Sequence, residues 1–433
     1  MKPDDGPWIP PKPARGRLIM AGVLGLVTLL LILGARAAFN EGLTGDFPIY
    51  FRAADAVLHG RTLQQAADQG YLAPPLCATI MAPLALLSQA LAAQVWTGLT
   101  LVLFAAMIGF GARDTAARWA LPRGAFHALA VATVASLCSF GQLRAELRNG
   151  QVDGLLAAGF VFGLVLLDRR PTLAGAFIGF AANIKYTAVA LVPYLLVRGR
   201  IRAAASAAAS TLAFAMLPAI VSGWGRNLAN LSISLAGILR LLGVDIGGRP
   251  VSNIPDLDYS RSVSLTSAVA RVALPRFGHA GMYLVLAGLA GLVVAACWTM
   301  YRRRGFPLLT RGPAGPWAAA ITSLEWSGVI IAVLIFSPQT QVRHMVVLLP
   351  LHLTATAVIL ARPAYARWAV AGLIVEQAGL NLPPGSLISD ETSEAWRATG
   401  WPCWCLLACY LAILWSGLRA AATMRADPDR SRV

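Results

Sequence analysis

The stretch "PTLAGAFIGFAANIKYTAVALVPYLLV", residues 171–197, is apolar on both sides of a polar centre made by Asn183, Lys185 and Tyr186. It reads either as one long helix or as a hairpin of two short ones turning at Asn183–Tyr186. In the hairpin each arm has about eleven residues and reaches roughly 17 Å, about half of a 30 Å hydrocarbon slab. Lys185 then lies at membrane depth, where an ammonium costs about 3 kcal/mol. Such a lysine opens into a wet cavity or meets an anion; at an ordinary helix end it would instead snorkel to the interface. A second stretch, "YLAPPLCATIMAPLALLS" (71–88), poses a similar choice between spanning and lying flat.

Outward from these two stretches the chain is apolar throughout. Of 433 residues, 57% are hydrophobic and 13% charged, with mean hydropathy +0.64. Soluble domains carry about 25% charged residues. Spans are expected at 18–38, 92–112, 124–141, 153–168, 203–221, 281–301, 315–336, 343–361, 366–379 and 401–418, which makes the protein an all-α, polytopic helical membrane protein. The segment 18–38 reads as a retained span, because the preceding residues 1–17 are long and polar and no small-residue cleavage site follows. The net charge of +16 suggests nucleic acid at first sight. Its basic residues, however, sit in short loops between spans, a pattern of membrane orientation. The six cysteines lie in apolar surroundings, and "CWCLLAC" lacks ligand histidines and zinc-type spacing, so they read as core.

Arginine placement arbitrates between the layouts. With 71–88 interfacial and 171–197 a hairpin, the segments 1–17, 113–123, 168–170, 198–202, 302–311, 362–367 and 419–433 share one side. They hold 22 Lys/Arg in 67 residues, against 13 on the opposite side. The positive-inside bias then predicts about twelve spans, cytoplasmic tails 1–17 and 419–433, and one transmembrane domain over 18–418. The outer segments are 39–91, 142–152, the 183–186 tip, 222–280, 337–343 and 380–400.

Most non-basic polar side chains fall on that outer side. In "DFPIYFRAADAVLHG" the apolar positions 47, 49, 50, 53, 54, 57 and 58 suit a short interfacial helix with one face in lipid. Asp46 stands at its start, where it reads as an N-cap or as a functional carboxylate. In "RAELRNGQVDG" (144–154), Asn149–Gly150 is turn chemistry, while Arg144, Arg148 and Gln151 face a polar ligand or water. "SPQTQVRHM" (337–345) brings Arg343 and His344 to the mouth of a span. The "DLD" at 256–258 has no further ligand spaced to join it, so no metal is expected. Glu325 and Glu376 lie within spans and are functional candidates by default. They favour a rival reading, a secondary transporter or lipid flippase.

The order of these features resembles the GT-C superfamily of membrane glycosyltransferases. It looks most like glycosyltransferase family 87, the polyprenyl-phosphate-mannose-dependent α-mannosyltransferases. "GDFPIYFRAADAVLHG", "YLAPPLCATIMAPLALL", "NGQVDGLL", "LAGAFIGFAANIKYTAVALVPYLLVRGR" and "FSPQTQVRHMVVLLP" carry the likeness, over roughly residues 40–360. The resemblance implies a catalytic base at Asp46, a histidine role at His344 and a phosphate-binding lysine at Lys185. Departures stand at Ala73, Tyr186–Thr187, Gln341–Val342–Arg343 and "SRSVSL"; they bear on acceptor and sugar more than on chemistry.

The reaction that the resemblance implies moves a hexose, mannose first, from a polyprenyl-phosphate donor to a hydroxyl of a glycan or glycolipid, expected at the outer face of the plasma membrane. Asp46 acts as general base in an inverting displacement, and His344 donates to phosphate or orients Asp46. Lys185, Arg343, Arg148 and Arg249 stabilise the leaving phosphate. Tyr50, Arg52, Asn149, Gln151 and Asn183 are candidate substrate contacts. The partners expected are donor, acceptor and membrane lipids, with no nucleic acid, no metal and no cofactor.

Overall fold

The computed structural model describes residues 45–67, 70–122, 124–242, 244, 256–309, 315–381 and 389–426, with Ile32 and Arg36 before them. Arg249 and, apart from those two residues, the expected span 18–38 lie outside the described residues. Among the described residues every regular element is helical. In chain order these are α1 (Phe47–Leu58), α2 (Gln64–Ala67), α3 (Pro75–Met81), α4 (Gln89–Arg118), α5 (Ala125–Asn149), α6 (Asp153–Leu166), α7 (Pro171–Ala182), α8 (Leu191–Val197) and α9 (Ile201–Met216). There follow α10 (Ala219–Ser222), α11 (Trp224–Leu241), α12 (Leu265–Arg303), α13 (Pro316–Phe336), α14 (Leu349–Ala361), α15 (Pro363–Asn381), α16 (Asp390–Ala398) and α17 (Trp401–Ala426). Short 3-10 turns, Ala82–Leu86, Tyr186–Ala190 and Val342–Leu348, join α3 to the loop before α4 and lead into α8 and α14.

Seven stretches of the described residues are long and apolar enough to cross a membrane: α4, α5, α9 with α10, α12, α13, the turn with α14, and α17. The chain is a polytopic helical membrane protein. Four further apolar stretches are short: Pro75–Leu86, α6, α7 and Tyr186–Val197. At 14 and 12 residues, α6 and α7 extend about 21 and 18 Å, less than a 30 Å slab.

The ion pairs resolve 171–197 into a hairpin. Pro171 opens α7, and α7 stops at Asn183, whose amide donates to the carbonyls of Gly179 and Thr211 at 2.9 Å each. Lys185 is extended, and the chain then turns back. Its two ends meet: Arg200 lies 2.6 Å from Asp168, which also takes Arg118 at 2.8 Å. Gly175 and Gly179, one turn apart, seat α7 on α9. A Cβ at Gly175 would stand 2.4 Å from the carbonyl oxygen of Ala203, and one at Gly179 would stand 2.6 Å from Ser210 Cβ. Small residues at such spacing let membrane helices approach closely.

Two ends of the bundle follow from these links. One gathers Arg118, Asp168 and Arg200, the Arg425–Gly305 bond (3.0 Å) and the Arg362–Thr423 bond (2.9 Å). The other holds the backbone bonds Asp46–Asn149 (2.9 Å) and Val263–Thr340 (2.7 Å), and Leu63 donating to Asn230 (2.9 Å). Of the segments grouped by their arginines, the described parts of 113–123, 168–170, 198–202, 302–311, 362–367 and 419–433 therefore share an end, while 1–17 lies outside the described residues. In α12 the left-handed Gly278, three residues after Pro275, separates a first helix from the span itself.

One expectation is corrected. The apolar face of α1 does not lie in lipid: Phe47, Ala53, Ala54 and Val57 pack with Tyr71, Cys77, Met81 and Trp96 in one buried cluster. The described residues 45–67 and 70–88 thus form a small folded layer on the bundle. All six cysteines are unpaired, and five are buried.

Candidate active site

Asp46 begins this layer. Gly45 and Gly150 let two chain segments touch: a Cβ at Gly45 would stand 2.6 Å from Asn149 Cα, and one at Gly150 would stand 2.5 Å from Phe47 Cβ. Gly150 also takes a left-handed conformation (φ +58°) that favours glycine. Asp46 occupies the N-cap position of α1, yet its side chain makes no capping bond. Instead Oδ1 accepts from Arg343 at 3.1 Å, and Oδ2 accepts a short bond from the amide of Gln151. The carboxylate is therefore turned away from its own helix and toward residues 105 and 297 positions distant.

Gln151 is held on every side. Its backbone carbonyl accepts from Trp96 Nε1 at 3.1 Å, and Oε1 accepts from the Tyr50 hydroxyl at 3.3 Å. Burial pushes the Tyr50 phenol well above its ordinary range, helped by Cys77 and by the carboxylates of Asp46, Asp153 and Glu146. Tyr50 thus remains a donor, and Gln151 presents its amide N–H group to Asp46.

Two acids were missed by sequence reasoning: Asp153, which lines the cavity, and Glu146, which lies behind it. Asp153, 1% exposed, opens α6 and holds Lys185 Nζ at 2.7 and 2.9 Å. This pair offsets the cost of an ammonium at membrane depth. Glu146 accepts the Gly154 N–H at 2.7 Å and so caps α6, while its other oxygen is buried without a partner. The signal was present in "NGQVDGLL", but an aspartate just after a turn reads as an ordinary helix start.

Asp46, Gln151, Asp153, Lys185, Arg343 and His344 line one cavity of about 540 Å³. His344 Nδ1 accepts from the Gln341 N–H at 3.3 Å. The neutral ring therefore carries its proton on Nε2, available to donate. Below these groups the walls turn to hydrocarbon: Leu156 and Phe160 of α6, Ile330, Val333 and Leu334 of α13, and Ile238 and Leu241 of α11. From Asp153 to Phe160 the helix descends about 10 Å. The cavity joins a charged head to an apolar trough.

The structure brings together Asp46, Tyr50, Gln151, Lys185, Arg343 and His344 of the sequence candidates. It places the others elsewhere. Arg52 and Arg148 are exposed and line neither this cavity nor its neighbour. Asn183, 2% exposed, spends its amide on backbone carbonyls of α7 and α9. Asn149 lies behind Asp46, accepting its N–H and facing a second cavity.

Glu325 and Glu376 stand apart from the cavity. Glu325 is clamped by Arg198 at 2.5 Å through both oxygens and accepts from Tyr194 at 3.2 Å. Glu376 meets His352 Nε2 at 2.8 Å, and His352 Nδ1 meets Ser139 at 2.6 Å, with His352 and Glu376 fully buried. Neither acid lines either cavity.

No curated protein and no solved structure matches the chain. A model of glycosyltransferase family 87 matches residues 71–338. That range contains Asp153 and Lys185 and stops short of Asp46, Arg343 and His344, which the fold brings to the same cavity. With well over half of the chain matched, on a helical membrane scaffold, the protein belongs to glycosyltransferase family 87 and is a membrane glycosyltransferase.

Proposed function

We propose that the enzyme transfers one hexose, mannose first among candidates, from a polyprenyl monophosphate to a hydroxyl of a glycan or glycolipid. The reaction takes place at the outer face of the plasma membrane, with both chain termini cytoplasmic. The observation that carries the reading is the cavity's division into a charged head and a hydrocarbon trough. A lipid-borne sugar phosphate has the same division, and a lateral trough within the bundle would receive its chain.

Asp46 serves as general base. It lies beside Arg343 without being enclosed, its side chain 24% exposed to the cavity. The amide of Gln151 holds one oxygen. The proton of the acceptor hydroxyl passes to Asp46 as the oxygen bonds to the anomeric carbon. The bond from that carbon to the phosphate oxygen breaks, and its electron pair leaves on phosphate. A single displacement of this kind inverts the anomeric centre. Lys185 and Arg343 stabilise the departing charge, and His344 Nε2–H donates to it. The lysine is already paired with Asp153, so the phosphate competes for it with a carboxylate rather than with water.

The test is incorporation of labelled mannose from polyprenyl-phosphate-mannose by membranes carrying wild type or Asp46→Asn. Transfer by the wild type and its loss in the variant are expected. Wild-type turnover of this donor into no product would remove the donor assignment; near-normal turnover by the variant would remove Asp46 from the base role.

A further inference from the structure

A second cavity of about 420 Å³ adjoins the first and shares Gln341 and Arg343 with it. Its size falls within the range of small-ligand pockets, about 300–1,000 Å³. Asn149, whose carbonyl holds the Asp46 N–H at 2.9 Å, forms part of its wall. A group entering here therefore approaches Asp46 from the Arg343 side, away from the hydrocarbon trough.

The chemistry of the two cavities differs. Tyr50, Tyr71, Tyr186 and Tyr259 line the first, whereas no aromatic ring lines the second. Neutral sugars are commonly held by aromatic faces, so the second cavity lacks their usual platform. Its charged side chains are Arg261, Arg343 and Arg397 against Glu394, which is engaged by the Ser260 hydroxyl. Among the described residues, neither Arg261 nor Arg397 forms an ion pair. Glu394 and Arg397 stand three residues apart on α16 and share a face. Two buried polar atoms in this wall also lack partners: the hydroxyl of Ser393, a residue 5% exposed, and Nε of Arg343. Unpartnered buried donors beside uncompensated guanidinium groups form a receptor for an oxyanion.

We infer that the second cavity binds the acceptor, and that this acceptor is a glycan bearing an oxyanion, either phosphate or carboxylate. The inference rests on the glycosyl-transfer reading. Arg261 and Arg397 grip the anion, Ser393 donates to it, and the neighbouring hydroxyl is presented past Arg343 to Asp46. Arg343 then stands between two anions, the donor phosphate and the acceptor's own group, and keeps them apart.

The test uses three probes that differ at carbon 6 alone: octyl glucoside, octyl glucoside 6-phosphate and octyl glucuronide. Binding is measured directly on the full chain in neutral-lipid nanodiscs, by thermophoresis, so the readout does not require turnover. Both anionic probes are expected to bind about tenfold or more tighter than the neutral one. In Arg261→Gln/Arg397→Gln that preference should fall to within about twofold. Arg226→Gln/Arg276→Gln, which removes the same charge from exposed arginines lining neither cavity, should keep it. A response to only one anionic probe identifies which oxyanion is accepted. Equal binding of all three probes, or an unchanged preference in the first double variant, overturns the assignment while leaving glycosyl transfer intact. Charge-selective binding in a protein that transfers sugar from no lipid-linked donor would instead overturn the transfer reading and leave an oxyanion site.

Discussion

Two kinds of acid occupy this bundle. Glu325 and Glu376 are sealed, 4% and 0% exposed, each against a basic partner and away from both cavities. Asp46 and Asp153 are also paired, with Arg343 and Lys185, but their pairs form the wall of a cavity. Burial by itself is therefore a poor guide to which acids line a cavity here. A charge in hydrocarbon must be neutralised wherever it lies; what separates the two classes is whether the pair opens to a cavity.

That contrast has measurable limits. Its largest expected effect is on Asp46→Asn, which keeps the size of the side chain and removes the proposed base. Turnover should fall by about 10²–10⁴-fold with the melting temperature unchanged, read from initial rates and thermal unfolding of the same preparation. Next, Glu325→Ala strands the Arg198 guanidinium in the bundle. Breaking such a pair costs about 3–5 kcal/mol, so a clear drop in melting temperature is expected, with the donor KM of the surviving protein unchanged. A sealed acid whose loss altered donor KM at constant stability would erase the distinction. Lys185→Ala should raise donor KM about tenfold or more, as expected for one charge-assisted bond of about 1.5–3 kcal/mol, and leave acceptor KM in place. Adding Asp153→Asn to that variant should restore stability by removing the stranded carboxylate, without restoring donor affinity. The smallest effect belongs to Tyr50→Phe, which deletes one 3.3 Å bond to Gln151. A net hydrogen bond of about 0.5–1.5 kcal/mol predicts a rate loss of about two- to tenfold, visible in kcat.

Much of this layout was legible in the chain. Asn183 and Lys185 interrupt an apolar run whose halves are each too short to span, and the interruption became the turn beside the cavity. Asp46, Arg343 and His344 stand on segments that arginine placement assigned to one side, and they meet there. The same reasoning put Asn183, Arg148 and Arg52 among the candidates, because it locates a segment without orienting its side chains. Asn183 ends a helix, where backbone carbonyls claim its amide. Asp153 and Glu146 went unnoticed for a related reason: an acid at a helix start or in a loop flank has an ordinary explanation until its partner is known. The apolar face of α1 was read correctly as a face but assigned to lipid, since hydropathy does not distinguish lipid from a protein layer of equal polarity.

Composition, run length and the side on which arginines fall are properties of short segments, and they determined by themselves a polytopic helical membrane protein with a broken helix pair. Which carboxylate lines the cavity was decided by contacts between residues as far apart as Asp46 and Arg343, 297 positions along the chain. Such pairing energies depend on distance and enclosure. Both arise only once the helices have packed.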